Sequence, residues 1–330
     1  EHLVGPLKFG LDPQGSYVAS RRSSTTFSNV NLASPEGVKT ITINVGSSSE
    51  WLDPSTLLLS FLIKETGNAH DLFPATPDPS CLFSRLQIRL GSTLVEDIQE
   101  FGKLSDIMTK LSMSAAKKMD LYQMGFGVRP AQSSNSYFEA DNHLARLITK
   151  NESKRVYMKF NLSGLFSQEK WLPLFALGGQ GLQIQLTLAE AKKAVVVSNG
   201  GVQYSTAYQL SDIRLLADMC MLNGELQESY NAALLNGTTL KMPIRSWECI
   251  TNYLPTDSAG SFDIAISKNY TRLATLFATF NQAEDTNDAG LTKRVRTHYF
   301  PSDTSTVAHS ENLSYHLALG SKRIPDNDVR

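Results

Sequence analysis

Residues 51–97 decide the fold of this chain, opening with WLDPSTLLLSFLIKETG and closing with SCLFSRLQIRLGSTLVED. In residues 85–90 the apolar side chains occupy every second position, so Leu86, Ile88 and Leu90 share one face of an extended segment. The positions between them are polar or charged and share the other face. This alternation predicts a β-strand that covers a hydrophobic core on one side.

The first part of the same stretch predicts a strand that is buried on both sides. Residues 57–63 are apolar almost throughout and rich in side chains that pack well on a pleated surface, which is typical of a strand covered on both faces. A Pro-rich loop joins the two strands, and Gly91 and Ser92 turn the chain into a short third strand. A β-sandwich is a fold in which both faces of such a strand can be buried.

The chain before residue 51 predicts an arm and one further strand. Residues 1–24 are rich in Gly, Pro and Ser, include Arg21 and Arg22, and show no sustained period, so we expect an extended arm that lies against another surface. Residues 40–45 alternate between polar and apolar side chains, which predicts the first strand of a sandwich formed by residues 25–222.

The chain after residue 97 continues this sandwich with helical insertions. Apolar residues recur at helical spacing between positions 98 and 113 and predict one long helix. Residues 114–138 contain two Gly residues and a Ser/Asn cluster, which predicts a long loop of the kind that forms interfaces. Further strands are predicted at residues 155–162, 182–188 and 208–222.

The second half of the chain repeats this order of elements. Residues 223–235 predict a connector helix, and a second sandwich is predicted in residues 236–330 from strand signals at 239–253, 261–267, 271–280 and 293–300. Strands separated by turns, with helices only as insertions and connectors, favour antiparallel sandwiches over β-α-β units. The predicted fold class is therefore all-β: two antiparallel β-sandwiches with short helical inserts, the second sandwich being incomplete.

Composition and motifs give little support to catalysis or to nucleic-acid binding. The formal net charge is -1 and the one local surplus of basic residues is the run 293–296, so we expect no direct contact with nucleic acid. The sequence has no G-x-S-x-G, G-x-x-x-x-G-K-[ST] or H-E-x-x-H motif, and its three cysteines are too widely spaced for a disulfide framework or a zinc site. We therefore expect no catalytic, cofactor-binding or metal-binding residues.

Three segments carry a resemblance to a known family. Residues 80–97 look like a strand-turn-strand that precedes a first helical insert, and residues 210–225 look like a strand that leads into a connector. The sequence WLPLFAL at 171–177, followed by LQIQL at 182–186, is similar to a segment near the end of a first jelly roll. In these segments and in their order, the chain resembles the double jelly-roll major capsid proteins of eukaryotic double-stranded DNA viruses, in the nucleocytoplasmic large virus and polinton-like lineage.

The resemblance implies a structural protein of the virion, without a cofactor and without enzymatic activity. A protein of this kind would self-assemble into trimeric, pseudo-hexagonal capsomers of an icosahedral shell, because three copies of two similar domains present six similar sides. Its implied partners are the other copies of a homotrimer, neighbouring capsomers, minor capsid and penton proteins, and an inner membrane. The second jelly roll of the family is longer than residues 236–330, so we expect the missing strands to come from a continuation of the polypeptide or from elsewhere.

Two other functions use the same kind of shell. Jelly rolls also serve lectins, and a glycan-binding module predicts aromatic side chains on exposed loops, for which the 114–138 loop offers Tyr122, Phe126 and Tyr137. An enzyme on a cupin-like shell needs paired histidines that flank a glutamate to hold a metal ion, and the sequence lacks such a group.

Overall fold

The computed structural model describes residues 18–46, 48–112, 114–127, 146–196, 198–199, 202–252, 263–266, 272–278, 315–319 and 321–329. The strands are β1 (Val18–Phe27), β2 (Leu32–Ala33), β3 (Thr40–Val45), β4 (Trp51–Glu65), β5 (Phe83–Leu90), β6 (Thr93–Gln99), β7 (Ser153–Lys159), β8 (Leu172–Pro173), β9 (Leu182–Leu188), β10 (Ser198–Asn199), β11 (Val202–Gln203), β12 (Tyr208–Leu222), β13 (Tyr315–Leu319) and β14 (Lys322–Val329). The helices are α1 (Phe101–Leu111), α2 (Ala115–Met124), α3 (Ala191–Ala194) and α4 (Gly224–Leu235), with 3₁₀ turns at Pro79–Leu82 and Leu174–Leu177.

The longer strands of residues 18–222 form two antiparallel sheets. One sheet has the order β1-β12-β4-β7, and the other has the order β3-β9-β5-β6. These eight strands can be numbered one to eight in chain order. Their order is then 1-8-3-6 in one sheet and 2-7-4-5 in the other. Most steps along the chain cross from one sheet to the other, which is the arrangement of a jelly roll. The predicted class, all-β with antiparallel sheets and short helical inserts, is confirmed.

The core lies between the two sheets and contains the residues that the alternation placed there. Leu86 and Ile88 of β5 are fully buried, and Ile88 lies opposite Ile184 of β9. Leu90, at the end of the strand, is only partly buried. From the other sheet, Phe61 meets Phe83 edge to face, with ring centres 5.9 Å apart. Each such buried side chain contributes roughly 1.5–3 kcal/mol through the apolar surface removed from water.

The connections between strands gather at two ends of the sandwich. The connections from β4 to β5, from β6 to β7 and from β9 to β12 leave the strands at one end, which we call the loop end. The turn at 91–92 and residues 160–181 lie at the other, which we call the connector end because β12 leads from there into α4. The amide of Gly91 donates a backbone hydrogen bond of 2.8 Å to the carbonyl of Gly181, which ties these two connections together.

Three predicted boundaries in the first half are wrong. Residues 18–24, predicted as part of an arm, belong to β1, an edge strand whose side chains are mostly exposed on both faces and therefore show no apolar period. The long helix begins at Phe101 rather than at 98, because Ile98 pairs with Leu86 within the sheet. The predicted 114–138 loop contains helix α2, and its part beyond residue 127 lies outside the described residues.

The second half differs most from the prediction. A helix, α4, lies where the connector was predicted, but the described residues at 239–252, 263–266 and 272–278 form no strand. The predicted strand at 293–300 lies outside the described residues. Strands β13 and β14 form an antiparallel pair near the end of the chain. A second sandwich in residues 236–330 stays a prediction.

Candidate functional site

The loop end is built around one buried carboxylate. Glu65, the last residue of β4, is fully buried. It accepts hydrogen bonds from the backbone amides of Gly67, Asn68 and Asn151 and from the hydroxyl of Ser205. Burial opposes the charged form, but the hydrogen bonds outweigh it, so the pKa of Glu65 lies below its ordinary value. Since the four donors come from all three long connections, this carboxylate holds the whole loop end together.

A second set of contacts strengthens the same end. The side-chain carboxylate of Asp71 accepts a hydrogen bond of 2.9 Å from the backbone amide of Lys150. The backbone carbonyl of Asp71 accepts one of 2.8 Å from the backbone amide of Ser205. The guanidinium of Arg146 lies 4.6 Å from the centre of the Phe73 ring, where a cation-π contact is favourable. The three connections are therefore ordered parts of the domain at the residues that the structure describes.

Helices α1 and α2, which belong to the connection between β6 and β7, place apolar side chains on the surface. Leu111, Met119 and Tyr122 are 58%, 43% and 48% exposed. Helix α2 is fixed to the domain by the buried side chain of Leu121 and by an ion pair of 3.6 Å between Asp120 and Lys159 of β7. We call Leu111, Met119 and Tyr122 the helix patch. Aromatic residues and Met are enriched where proteins bind one another, so the helix patch is a candidate contact surface.

At the connector end, one tryptophan attaches α4 to the sandwich. Trp51 is buried, and its indole Nε1 donates a hydrogen bond of 2.8 Å to Oε1 of Gln227. Its ring lies 5.5 Å from that of Phe175 and 5.0 Å from that of Tyr230. Gln227 and Tyr230 are three positions apart and so share one face of α4. Because α4 has no fully buried residue, this cluster is its main anchor on the sandwich.

An ionic network fixes the edge strand β1 to its neighbours. Arg21 contacts the carboxylates of Asp53 and Asp218 at 3.0 and 2.9 Å, and Arg22 forms a two-pronged contact with Glu50. The Arg21 hydrogen bond to Asp218 raises the pKa of that guanidinium, which stays charged at any relevant pH. Charged side chains on an edge strand also disfavour pairing with a foreign strand.

The candidate residues of a chemical site do not come together. No group of three or more His, Cys, Asp or Glu side chains that could hold a metal ion occurs among the described residues. Burial raises the pKa of the Cys81 thiol to about 12, so this thiol is not a nucleophile near neutral pH. Of the aromatic residues that a glycan-binding loop would present, Tyr122 is exposed, Phe126 is fully buried and Tyr137 lies outside the described residues. Within the described part of the chain, no helix is long and apolar enough to cross a membrane.

Glu65 and Trp51, which organise the two ends, were not identified from the sequence. A charged residue that ends a long apolar strand just before Gly67 and Asn68 was the available signal for Glu65. Trp51 gave no such signal, because its partners lie far away in the chain. The segment 114–138, predicted to form an interface, contributes helix α2 to the surface, and the predicted connector 223–235 contains helix α4.

Comparisons with solved structures find similar chains in viral particles. PBCV-1 VP54, in a crystal structure fitted into a cryo-EM reconstruction of the virophage Sputnik, is 14% identical, with a TM-score of 0.45 over 67% of this chain and 47% of that one. The Faustovirus major capsid protein is 8% identical, with a TM-score of 0.41 over 71% of this chain and 59% of that one. The aligned part thus spans about half the length of these proteins. The comparison with curated protein sequences found no match.

A family model described as "Major capsid protein N-terminus" matches residues 39–226, more than half of the chain. The matched segment begins just before β3 and ends in α4, so it includes every long strand of the jelly roll except β1. It therefore covers most of the domain that the strand order defines. The chain belongs to the major capsid protein family, whose members have their place in the virion capsid.

Proposed function

We propose that this chain forms trimeric, pseudo-hexagonal capsomers of an icosahedral viral shell. The observation that carries the proposal is the jelly-roll strand order within the residues that the capsid family model matches. Connector α4 then leads into a second half, for which we propose a second jelly roll. Three copies of a chain with two such domains present six similar sides, and a six-sided tile packs with repeated lateral contacts.

The helix patch and the exposed end of α4 are the proposed contacts between copies. The helix patch offers two apolar side chains and one tyrosine, and Leu235 at the end of α4 is 88% exposed. A stable capsomer contact buries about 1,200–2,000 Å² per pair and is more apolar at its centre than at its rim. The helix patch would supply part of that centre, with further contacts around it.

The other partners of this protein are proposed from its family membership, not from a contact surface of this structure. Neighbouring capsomers, minor capsid and penton proteins, and an inner membrane are the partners of such a shell. A formal net charge of -1 fits a shell that does not bind the genome directly. The role is structural, and no catalytic step is assigned to any side chain.

The test is the mass of the particle in solution. Light scattering or sedimentation of the protein at micromolar concentration should give a trimer, and Tyr122→Glu should weaken it because a carboxylate would be buried in the contact. Leu94→Glu is the matched control, since Leu94 is similarly exposed (41%) but lies on β6 rather than on α1 or α2. A stable monomer would contradict the trimer. A trimer that Tyr122→Glu and Leu94→Glu leave equally intact would remove the helix patch from the interface.

A further inference from the structure

Residues 241–247, which follow α4, lie against the first sandwich without forming a helix or a strand. We call this segment the strap. The side chains of Met242, Ile244 and Trp247 are partly buried and pack against the hydrophobic core, while Lys241 and Arg245 are exposed. Met242 and Ile244 lie two positions apart, as in a strand, but the surface next to them is an irregular connection of the jelly roll rather than a sheet.

The strap lies so close to Gly164 that only glycine fits at that position. A Cβ atom built on Gly164 would lie 2.0 Å from the carbonyl oxygen of Arg245 and 2.8 Å from its amide nitrogen. Gly164 is not among the residues with a positive φ angle, so its own backbone would accept alanine. The requirement for glycine at this position thus comes from the approach of the strap alone.

Side chains of the same connection hold the start of the strap. The ammonium of Lys170 donates a hydrogen bond of 2.8 Å to the carbonyl of Lys241. The amide of Gln168 lies 3.6 Å from the Met242 sulfur, within reach of a weak hydrogen bond. Gly164, Gln168 and Lys170 form what we call the strap groove.

A buried carboxylate fixes the strap groove in place. Glu96 of β6 is almost fully buried and accepts hydrogen bonds from the backbone amides of Gly164 (2.8 Å) and Leu165 (3.3 Å) and from the hydroxyl of Ser163. A buried carboxylate with three donors holds a turn rigidly, because losing any of these bonds leaves a charge unpaired in the interior. Glu96 therefore ties the Gly164 part of the strap groove to β6 of the first sandwich.

The far end of the strap reaches the described part of the second half. Trp247 packs partly against the first core, and its ring lies 5.9 Å from that of Phe277. Phe277 belongs to residues 272–278, all of which are exposed, Phe277 itself by 47%. Trp247 thus contacts the two halves of the chain at once.

We infer that the strap groove is an intramolecular docking site whose partner is the chain's own strap, and that Gly164 is the residue that determines this docking. The strap holds the start of the second half on the first sandwich, in addition to the Trp51 anchor of α4. A side chain larger than hydrogen at position 164 prevents the close approach of Arg245 and so releases the strap. The jelly roll stays folded, since this contact lies outside the two sheets.

Limited digestion of the full chain with trypsin tests this inference, because the strap carries two exposed cleavage sites, Lys241 and Arg245. A protease needs an extended segment free of its surroundings, so cleavage follows the fraction of time that the strap is detached. Gly164→Ala should raise the cleavage rate at Lys241 and Arg245 by at least about tenfold. Gly179→Ala is the matched control, because no atom lies within 4 Å of a Cβ at Gly179. Equal cleavage rates in the two variants would overturn the inference.

A second variant separates release of the strap from damage to the groove. Ile244→Ser changes the strap and leaves every groove residue intact, so it should raise cleavage at the same two sites while circular dichroism and the unfolding transition of the jelly roll stay as in the wild type. An Ile244→Ser protein cleaved at the wild-type rate would contradict the docking, whatever the behaviour of Gly164→Ala.

Discussion

The hydroxyl of Ser205 donates a hydrogen bond of 2.7 Å to Oε1 of Glu65, although 140 positions separate the two residues in the chain. Glu65 ends β4 and Ser205 precedes β12, and these two strands are neighbours in the same sheet. The bond therefore joins the connection after β4 to the connection before β12, next to the ends of these two paired strands. It also places a charge in the interior, where it is stable only while its donors stay in position.

Glu65→Gln should destabilise the domain. An amide cannot accept hydrogen bonds through both of its terminal atoms, so at least one backbone donor, such as that of Gly67 or Asn151, loses its partner. The expected loss is about 1–3 kcal/mol in the free energy of unfolding by urea. Glu190→Gln is the control, because Glu190 has an exposed side chain and should change stability by less than about 0.5 kcal/mol. Similar losses in both variants would contradict the role of Glu65.

The stabilising effect of Glu65 should also depend on pH. Its pKa is lower in the folded protein than in the unfolded chain, so its contribution is fully present above the unfolded pKa and is lost as pH falls through the folded value. The difference in stability between wild type and Glu65→Gln should therefore shrink as the pH is lowered from 7 towards 3. Asp97 and Asp212 also have lowered pKa values, but they titrate equally in both proteins and cancel in the difference. A difference that stays constant over this range would contradict the prediction.

Ile88→Asp tests the register of β5. Ile88 is fully buried opposite Ile184, so the substitution buries a carboxylate without a partner and should cost at least about 3 kcal/mol. Arg89→Ala, one position further on the partly exposed face, should change stability by less than about 1 kcal/mol. Thermal unfolding of the two variants measures the difference. Equal effects would mean that the faces of the strand are assigned wrongly.

Alternation along single strands was enough to predict most of the jelly roll. Residues 40–45, 85–90 and 182–188 each have one buried face, so their apolar residues recur at every second position and the strands were identified correctly. Strand β1 was missed because it lies at an edge with both faces mostly exposed, which leaves no apolar period to read.

The functional contacts could not be predicted in the same way. Glu65 and Ser205 lie 140 positions apart and Trp51 and Gln227 lie 176 positions apart, whereas periodicity reports only on neighbours in the chain. The strand signals at 239–253 correspond in part to the strap, because apolar residues that pack on a loop can follow the same spacing as residues of a strand. In the structure, the absence of a strand at 239–252 and the approach of Arg245 to Gly164 distinguish the two cases.

Two substitutions at the connector end test whether Trp51 anchors α4. Tyr230→Ala removes an aromatic ring 5.0 Å from that of Trp51 without changing the sandwich core, so amides of α4 should exchange with deuterium about tenfold faster while those of β4 and β12 keep their protection. Trp51→Phe keeps an aromatic ring but loses the hydrogen bond to Gln227, and should give a smaller increase. Glu228→Ala serves as the control, since Glu228 lies on α4 with its side chain exposed. If Tyr230→Ala and Glu228→Ala exchange alike, α4 is held by contacts other than the Trp51 cluster. If β4 loses protection together with α4, the helix and the sandwich unfold as one unit, and the connector is part of the first domain rather than a link that ends it.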